Sequence, residues 1–295
     1  MMNLKKWQIL IAAVSVMLTY ACSSDTDEQS SSSENANKNE AVIRNAQNLE
    51  MPRIDSKAGK IISHYASGIL NFSVDWHADK KHSRWVAFTF TRENSTTLWD
   101  RNQWKNTEWK GDPFQPDPSL REGERTELSD YRRSGYDRGH LCASADRLNT
   151  KDCNEQTFYL SNMSPQIGRF NQQDWVDLEG LVQNWGRSNT FRDTLYVVKG
   201  GTIREDQILR YTKSGMPVPK YYFMALMCKK AGTYKAIGFW VEHKSYGGNP
   251  VLSSWAVSID ELEKKTGIDF FCNLPDRIEK PIEKSFSLES WPGLK

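Results

Sequence analysis

Between residues 171 and 187, Trp175, Leu178, Val182 and Trp185 recur at intervals of three and four, which sets one apolar stripe along a helix. Little else in the chain keeps that period. Residues 61–65, 68–74, 84–91, 195–198, 221–227 and 234–241 are β-branched and aromatic runs bounded by turn formers, and each predicts a strand. Shorter helices are expected over 259–265, with Asp260 near the orphan amides of its first turn, and over 276–284, where Pro281 interrupts. A helix with one apolar stripe must bury it, and the strands offer the surface. The pattern predicts a mixed α+β, strand-rich single domain. Residues 93–130 break the pattern, with Trp99, Trp104 and Trp109 spaced by five among charges. Those tryptophans are read as pins for a long loop; stacking on bases is the competing reading.

The chain begins with an export signal. Lys5 and Lys6 precede a short apolar run over 9–18, and Ala21-Cys22 follows where a small residue and a cysteine mark bacterial lipoprotein processing. The expected organisation is a signal peptide over 1–22 ending at a lipidated Cys22, a tether over 23–50, and a folded domain over 51–295. That implies an exported protein, lipid-anchored to a bacterial membrane and facing either the periplasm or the cell surface. An ordinary cleaved signal with an incidental cysteine is the alternative. Residues 23–50 are Ser-, Asn- and Glu-rich with few large apolar side chains, as a flexible tether would be. Without the leader and tether, 35 basic residues face 31 acidic ones, a net +4 that permits a polyanionic substrate without requiring one. Cys142, Cys153, Cys228 and Cys272 allow three disulfide pairings, and nothing in their spacing selects one. A zinc site from His140, Cys142 and Cys153 lacks a tight Cys-x-x-Cys pair.

Chemistry concentrates between residues 131 and 185. His140 follows Arg138 by two, so an extended segment points an imidazole and a guanidinium the same way, with Gly139 permitting close approach between them. Asn171 alone reads as a helix cap, and Glu179 alone as a solvated helix charge. His64, His77, His82 and His243 are read as structural. A base, an amide, a carboxylate and guanidiniums in so short a span point to hydrolysis of a phosphate ester.

Asp137-Arg138-Gly139-His140, then Asn162-x-Ser164-Pro165-Gln166, then Asn171-Gln172-x-x-Trp175-x-x-Leu178-Glu179 resembles the DNA/RNA non-specific endonucleases. This group includes secreted bacterial nucleases and mitochondrial endonuclease G and is built around a ββα-metal finger. The resemblance implies that His140 is the general base and that Asn171 is the direct ligand of one Mg²⁺, with Mn²⁺ as a substitute. It further implies that Glu179 holds a metal-bound water, that Asn162 orients the active-site groups or a phosphate oxygen, and that Arg138 contacts the phosphate. DNA and RNA are the implied substrates; no protein partner is inferred. Two positions depart from the pattern. Gln183 stands where some members carry an arginine, and Cys142 where a small residue is usual. A second phosphate-binding arginine is expected in the long loop, with Arg101 the candidate and Arg92 behind it. The competing classes are a catalytically weak nucleic-acid-binding surface lipoprotein and a nuclease toxin.

Overall fold

The computed structural model describes residues 35–55, 59–101 and 111–294. In chain order the strands are β1 (Lys60–Ala66), β2 (Ile69–His77), β3 (His82–Phe90), β4 (Asp137–His140), β5 (Met163–Gln166), β6 (Thr194–Gly201), β7 (Ile208–Tyr211), β8 (Pro217–Pro219), β9 (Tyr221–Lys230), β10 (Thr233–Glu242) and β11 (Ala256–Val257). The helices are α1 (Leu128–Tyr131), α2 (Lys151–Gln156), α3 (Trp175–Arg187), α4 (Ile259–Thr266) and α5 (Asp276–Lys284). Seven strands form one antiparallel sheet in the order β1-β2-β3-β6-β9-β10-β11, while β4–β5 and β7–β8 are separate two-stranded ribbons.

The central strands read as unbroken apolar runs because both faces of the sheet are covered. On one face Val86, Phe88 and Phe90 of β3, Leu195 and Val197 of β6, and Met224 and Leu226 of β9 pack with Trp175, Leu178, Val182 and Trp185 of α3. The intervening residues, Trp85, Ala87, Tyr196, Val198, Phe223 and Ala225, face the other way onto Ile259 and Leu262 of α4 and onto Phe270 and Phe271. Ile278 and Ile282 of α5 pack against that second layer. Each large apolar side chain removed from water contributes roughly 1.5–3 kcal/mol. The stripe predicted for α3 therefore faces the sheet. Gly186 marks the closest approach, since a Cβ there would fall 2.5 Å from Cγ of Phe90.

Three expectations need revision. Residues 35–50, expected as tether, lie on the folded body: Asn39 and Ala46 are buried. Asn35 Nδ2 donates to the carbonyls of Cys272 and Leu274, and Asn39 Nδ2 to those of Ala46 and Pro52. Asparagine amides can saturate a neighbouring backbone without any apolar pattern, which is why composition misled here. Helix α5 runs through Pro281 rather than stopping there. The helix expected over 171–187 is regular only from Trp175, with a wider π turn over Phe170–Asp174 before it. The signal peptide and Cys22 lie outside the described residues, as do Trp104 and Trp109. Among the described residues, no helix is long and apolar enough to cross a membrane.

Candidate active site

The first motif is strand β4, paired antiparallel to β5 with Asp137 opposite Gln166 and His140 opposite Met163. Glycine is required at 139, since a Cβ would fall 2.0 Å from Oε1 of Gln166. The chain then enters the π turn, where the Trp175 amide donates to the Phe170 carbonyl five residues back. Wide turns of this kind displace one residue from the helical ladder and recur at functional sites. Here the displaced stretch carries Asn171. The turn is anchored on both sides. His243 Nε2 accepts the Ile167 amide at 2.7 Å, and the buried Asp174 carboxylate accepts the amides of Tyr246 and Gly248, both at 2.8 Å. Hairpin and helix together make a ββα unit laid on one face of the sheet.

Asn171 Nδ2 donates to Asp137 Oδ2 at 3.0 Å, and Gln172 Nε2 donates to the same oxygen at 2.7 Å. With its NH₂ engaged, Asn171 retains its carbonyl oxygen as the atom free for an incoming group. Asp137, Arg138 and Asn171 line a cleft of about 590 Å³, together with Phe114, Tyr131 and Arg132. Arg138 Nη1 donates to Asp112 Oδ2 at 3.0 Å, and its guanidinium lies 3.8 Å from the Phe114 ring centroid. His140 packs on that same ring at 5.6 Å and edge-on to Phe158 at 5.1 Å. Arg138 and His140 therefore share one side of β4, as their spacing by two requires.

His140 Nε2 is shielded from solvent and has no hydrogen-bond partner among the described residues. Burial lowers the pKa of this imidazole to about 3; Arg101, Lys199 and Arg138 push the same way, and Asp146 opposes them. It is thus neutral at any ordinary pH, with an unspent acceptor. Arg101 is exposed, yet it is the foremost charge acting on His140. Arg92 is exposed too, and the carboxylate it acts on is that of Glu93.

Glu179 is 8% exposed, so it is not a solvated flank charge. Its Oε1 accepts from Lys199 Nζ at 3.3 Å, and Lys199 also donates to Asp146 Oδ2 at 3.0 Å. Burial raises the Glu179 carboxyl to about 7; Lys199 opposes that rise and Asp146 reinforces it. Burial works against the Lys199 charge as well, but the two carboxylates outweigh it and hold the ammonium protonated. Gln183 Nε2 donates to Asp146 Oδ1 at 3.1 Å, so the position where the motif resemblance leads an arginine to be expected serves this buried network.

Asn162 is fully buried and committed to backbone. Its Oδ1 accepts the Cys142 amide at 2.8 Å, and its Nδ2 donates to the carbonyls of Cys142 and Thr157. It fixes the chain just beyond His140 and has no donor left for a phosphate. Cys142 is a buried free thiol, pushed up to about 12 by burial, and Cys153, Cys228 and Cys272 are free as well. His64, His82 and His243 have structural partners in Asp117, Ser164 and Ile167 respectively. Sequence reasoning passed over Asp137 as a positioning group, Arg132 as a second guanidinium at the cleft, and the Asp146–Lys199 pair. Asp137 lay inside the motif and was legible. Lys199 ends an apolar strand run, where a lysine ordinarily signals solvent.

Residues 59–277 match the family model described as DNA/RNA non-specific endonuclease. A nuclease of Syncephalastrum racemosum is 32% identical over 164 residues, 51% of this chain and 51% of that protein. Nuclease C1 of Cunninghamella echinulata var. echinulata is 31% identical over 157 residues, covering 51% and 62%. Human mitochondrial endonuclease G is 29% identical over 166 residues, covering 53% and 55%. The chain thus spans about half to three-fifths of the length of these relatives. In fold it matches a chain from the crystal structure of the EndoG/EndoGI complex with a TM-score of 0.61 at 23% identity, over 74% of this chain and 88% of that one. The family match runs from just before β1 to the start of α5 and takes in the whole sheet as well as the motif, so this chain belongs to the DNA/RNA non-specific endonuclease family.

Proposed function

We propose that the protein is a metal-dependent endonuclease that hydrolyses phosphodiester bonds of DNA and RNA with little sequence preference. The observation that carries this reading is the pairing of Asn171 with Asp137 at the cleft where Arg138 lies, beside a neutral His140 whose Nε2 is unspent. The donor set suits a hard cation: an amide oxygen held in place, a nearby carboxylate, and no soft ligand turned to it. Asn171 would hold Mg²⁺, or Mn²⁺ in its place, and Glu179 would hold a water of its shell. When bound, the ion supplies neutralisation of the charge that builds on the phosphate and leaving oxygen. His140 Nε2 takes the proton of the attacking water. Arg138 meets a phosphate oxygen, its partner Asp112 giving way to the substrate, with Arg132 or Arg101 as the second cationic contact. Phe114 holds Arg138 and His140 in register and keeps water from the back of the imidazole. Asn162 contributes by fixing the backbone after His140.

We further propose that the chain is exported and held at a bacterial membrane through a lipid on Cys22, a reading supported by the sequence alone. Full-length protein given closed circular plasmid and structured RNA, in Mg²⁺ and in EDTA, tests the activity. Metal-dependent nicking and then degradation of both polymers is expected. His140→Ala should lose roughly 10²–10⁴-fold in rate while still binding DNA and Mg²⁺. Undiminished turnover in that variant would remove His140 from the base role, and DNA binding without cleavage by the wild type would leave only a binding protein.

A further inference from the structure

The face of the sheet away from the cleft carries a group of carboxylates that no salt bridge reaches among the described residues. Asp260 and Glu263 stand one turn apart on α4, and Glu283 reaches them from α5. One carboxylate oxygen from each lies within 4.8 Å of the other two. Glu283 is 6% exposed, and its Oε1 is buried without a hydrogen-bond partner. Carboxylates so close repel one another, and in a buried setting the repulsion is poorly screened. Two lysines of these helices are paired elsewhere. Lys265 pairs with Glu261, and Lys280 pairs with Asp276. Glu263 Oε1 accepts the Phe270 amide at 2.8 Å, and among the described residues no salt bridge reaches any of the three. The Glu283 carboxyl is driven up to about 10, by burial first and then by Glu263, Glu279, Asp269 and Asp260. All of these influences act in the same direction.

We propose that Asp260, Glu263 and Glu283 form a second divalent-cation site, structural in role and suited to Ca²⁺, on the opposite face of the sheet from the cleft. The ligands are all hard oxygens. Ca²⁺ takes six to eight oxygen ligands at about 2.3–2.6 Å in flexible geometry and accepts a carboxylate set completed by water, whereas Mg²⁺ demands near-ideal octahedral geometry. Asp260 and Glu263 are half-buried, so an ion would reach the cluster from their side and complete its coordination with water. The ion would clamp α4 to α5 beside the place where Asn37 bonds Asp269 and Glu279, and so steady the docked segment over 35–50.

The test is thermal unfolding of the full-length chain in EDTA and in about 10 mM Ca²⁺, with calorimetric titration of Ca²⁺ alone. A saturable rise of about 5 °C is expected, corresponding to a dissociation constant of about 10⁻⁴ M. Glu283→Gln should weaken Ca²⁺ at least tenfold without lowering nuclease activity in Mg²⁺. Asp260→Asn, at the accessible rim, should do the same and stands in if Glu283→Gln does not fold. Asn171→Ala should keep the Ca²⁺ response. No response in the wild type would overturn the proposal, as would a response that survives both carboxylate substitutions or one that disappears in Asn171→Ala. A Glu283→Gln protein that is more stable than the wild type in EDTA, when neither responds to Ca²⁺, would identify the cluster as shared protons instead.

Discussion

The two faces of the sheet bury carboxylates in opposite ways. Beneath α3, Asp146 and Glu179 flank Lys199, and Gln183 completes the coordination of Asp146. Between α4 and α5, Asp260, Glu263 and Glu283 face one another with no lysine or arginine bonded to them among the described residues. Burial penalises charge on both faces, more fully beneath α3 than at the half-buried Asp260 and Glu263, and the faces differ further in who supplies the countercharge. On the cleft side the chain supplies it and thereby fixes Glu179 in place for the site. On the far side it leaves the balance to a proton or to an ion from solution.

The comparison breaks most visibly at Lys199. Replacing it with methionine keeps the volume but strands two buried carboxylates, and a loss of about 3–5 kcal/mol in urea unfolding is expected at neutral pH. Glu283→Gln in EDTA should raise stability or leave it unchanged, since burial and the neighbouring carboxylates already hold that carboxyl protonated at neutral pH and the amide removes no countercharge. A large loss at Lys199 with no loss at Glu283 would establish the contrast, and a neutral Lys199→Met would show that the triad carries little. The next effect in size is at Asp137. Removing its carboxylate with Asp137→Ala frees the Asn171 and Gln172 amides to rotate, and Mg²⁺ affinity measured by activity and by calorimetry should fall about 10–100-fold with the fold intact. Unchanged affinity would detach Asp137 from the positioning of Asn171.

The smallest effect is in pH, and the buried histidines and buried glutamates give it opposite signs. His82 and His243 are both lowered to about 4, chiefly by burial. A depressed histidine means the unfolded chain binds more protons between about pH 6.5 and 4, so this contribution is whole above 6.5 and is lost as pH falls towards 4. Glu263, raised to about 8, and Glu283, raised to about 10, act inversely: their contribution is present below the unfolded value near 4.5 and is lost as pH rises through the folded values. Metal-free protein should therefore be most stable in a window around pH 6, with a Tm several degrees lower at pH 4.5. Added Ca²⁺ should extend the alkaline side only. A profile that Ca²⁺ leaves unchanged at pH 8 would remove the far-side carboxylates from the account.

The sequence alone determined the six long strands of the sheet, the α3 stripe, and which side chains of β4 point together. These follow from periods of two and of about 3.6 residues, and such periods are local properties of the backbone. It also determined the motif, because residues 137–140, 162–166 and 171–179 keep their spacing on consecutive elements of one ββα unit. Tertiary structure alone decided three further things. Asn162 spends its amide on the backbone of residues 142 and 157, a matter of which carbonyls the fold brings near. Residues 35–50 dock because Cys272, Asn273 and Leu274, more than 200 residues away, present matching polar groups. Lys199 is buried because Asp146 and Glu179 meet it there, while Asp260, Glu263 and Glu283 meet each other. Charge–charge contacts between distant elements carry no periodic signature, so only the packing of α3, α4 and α5 on the sheet reveals which charges are balanced.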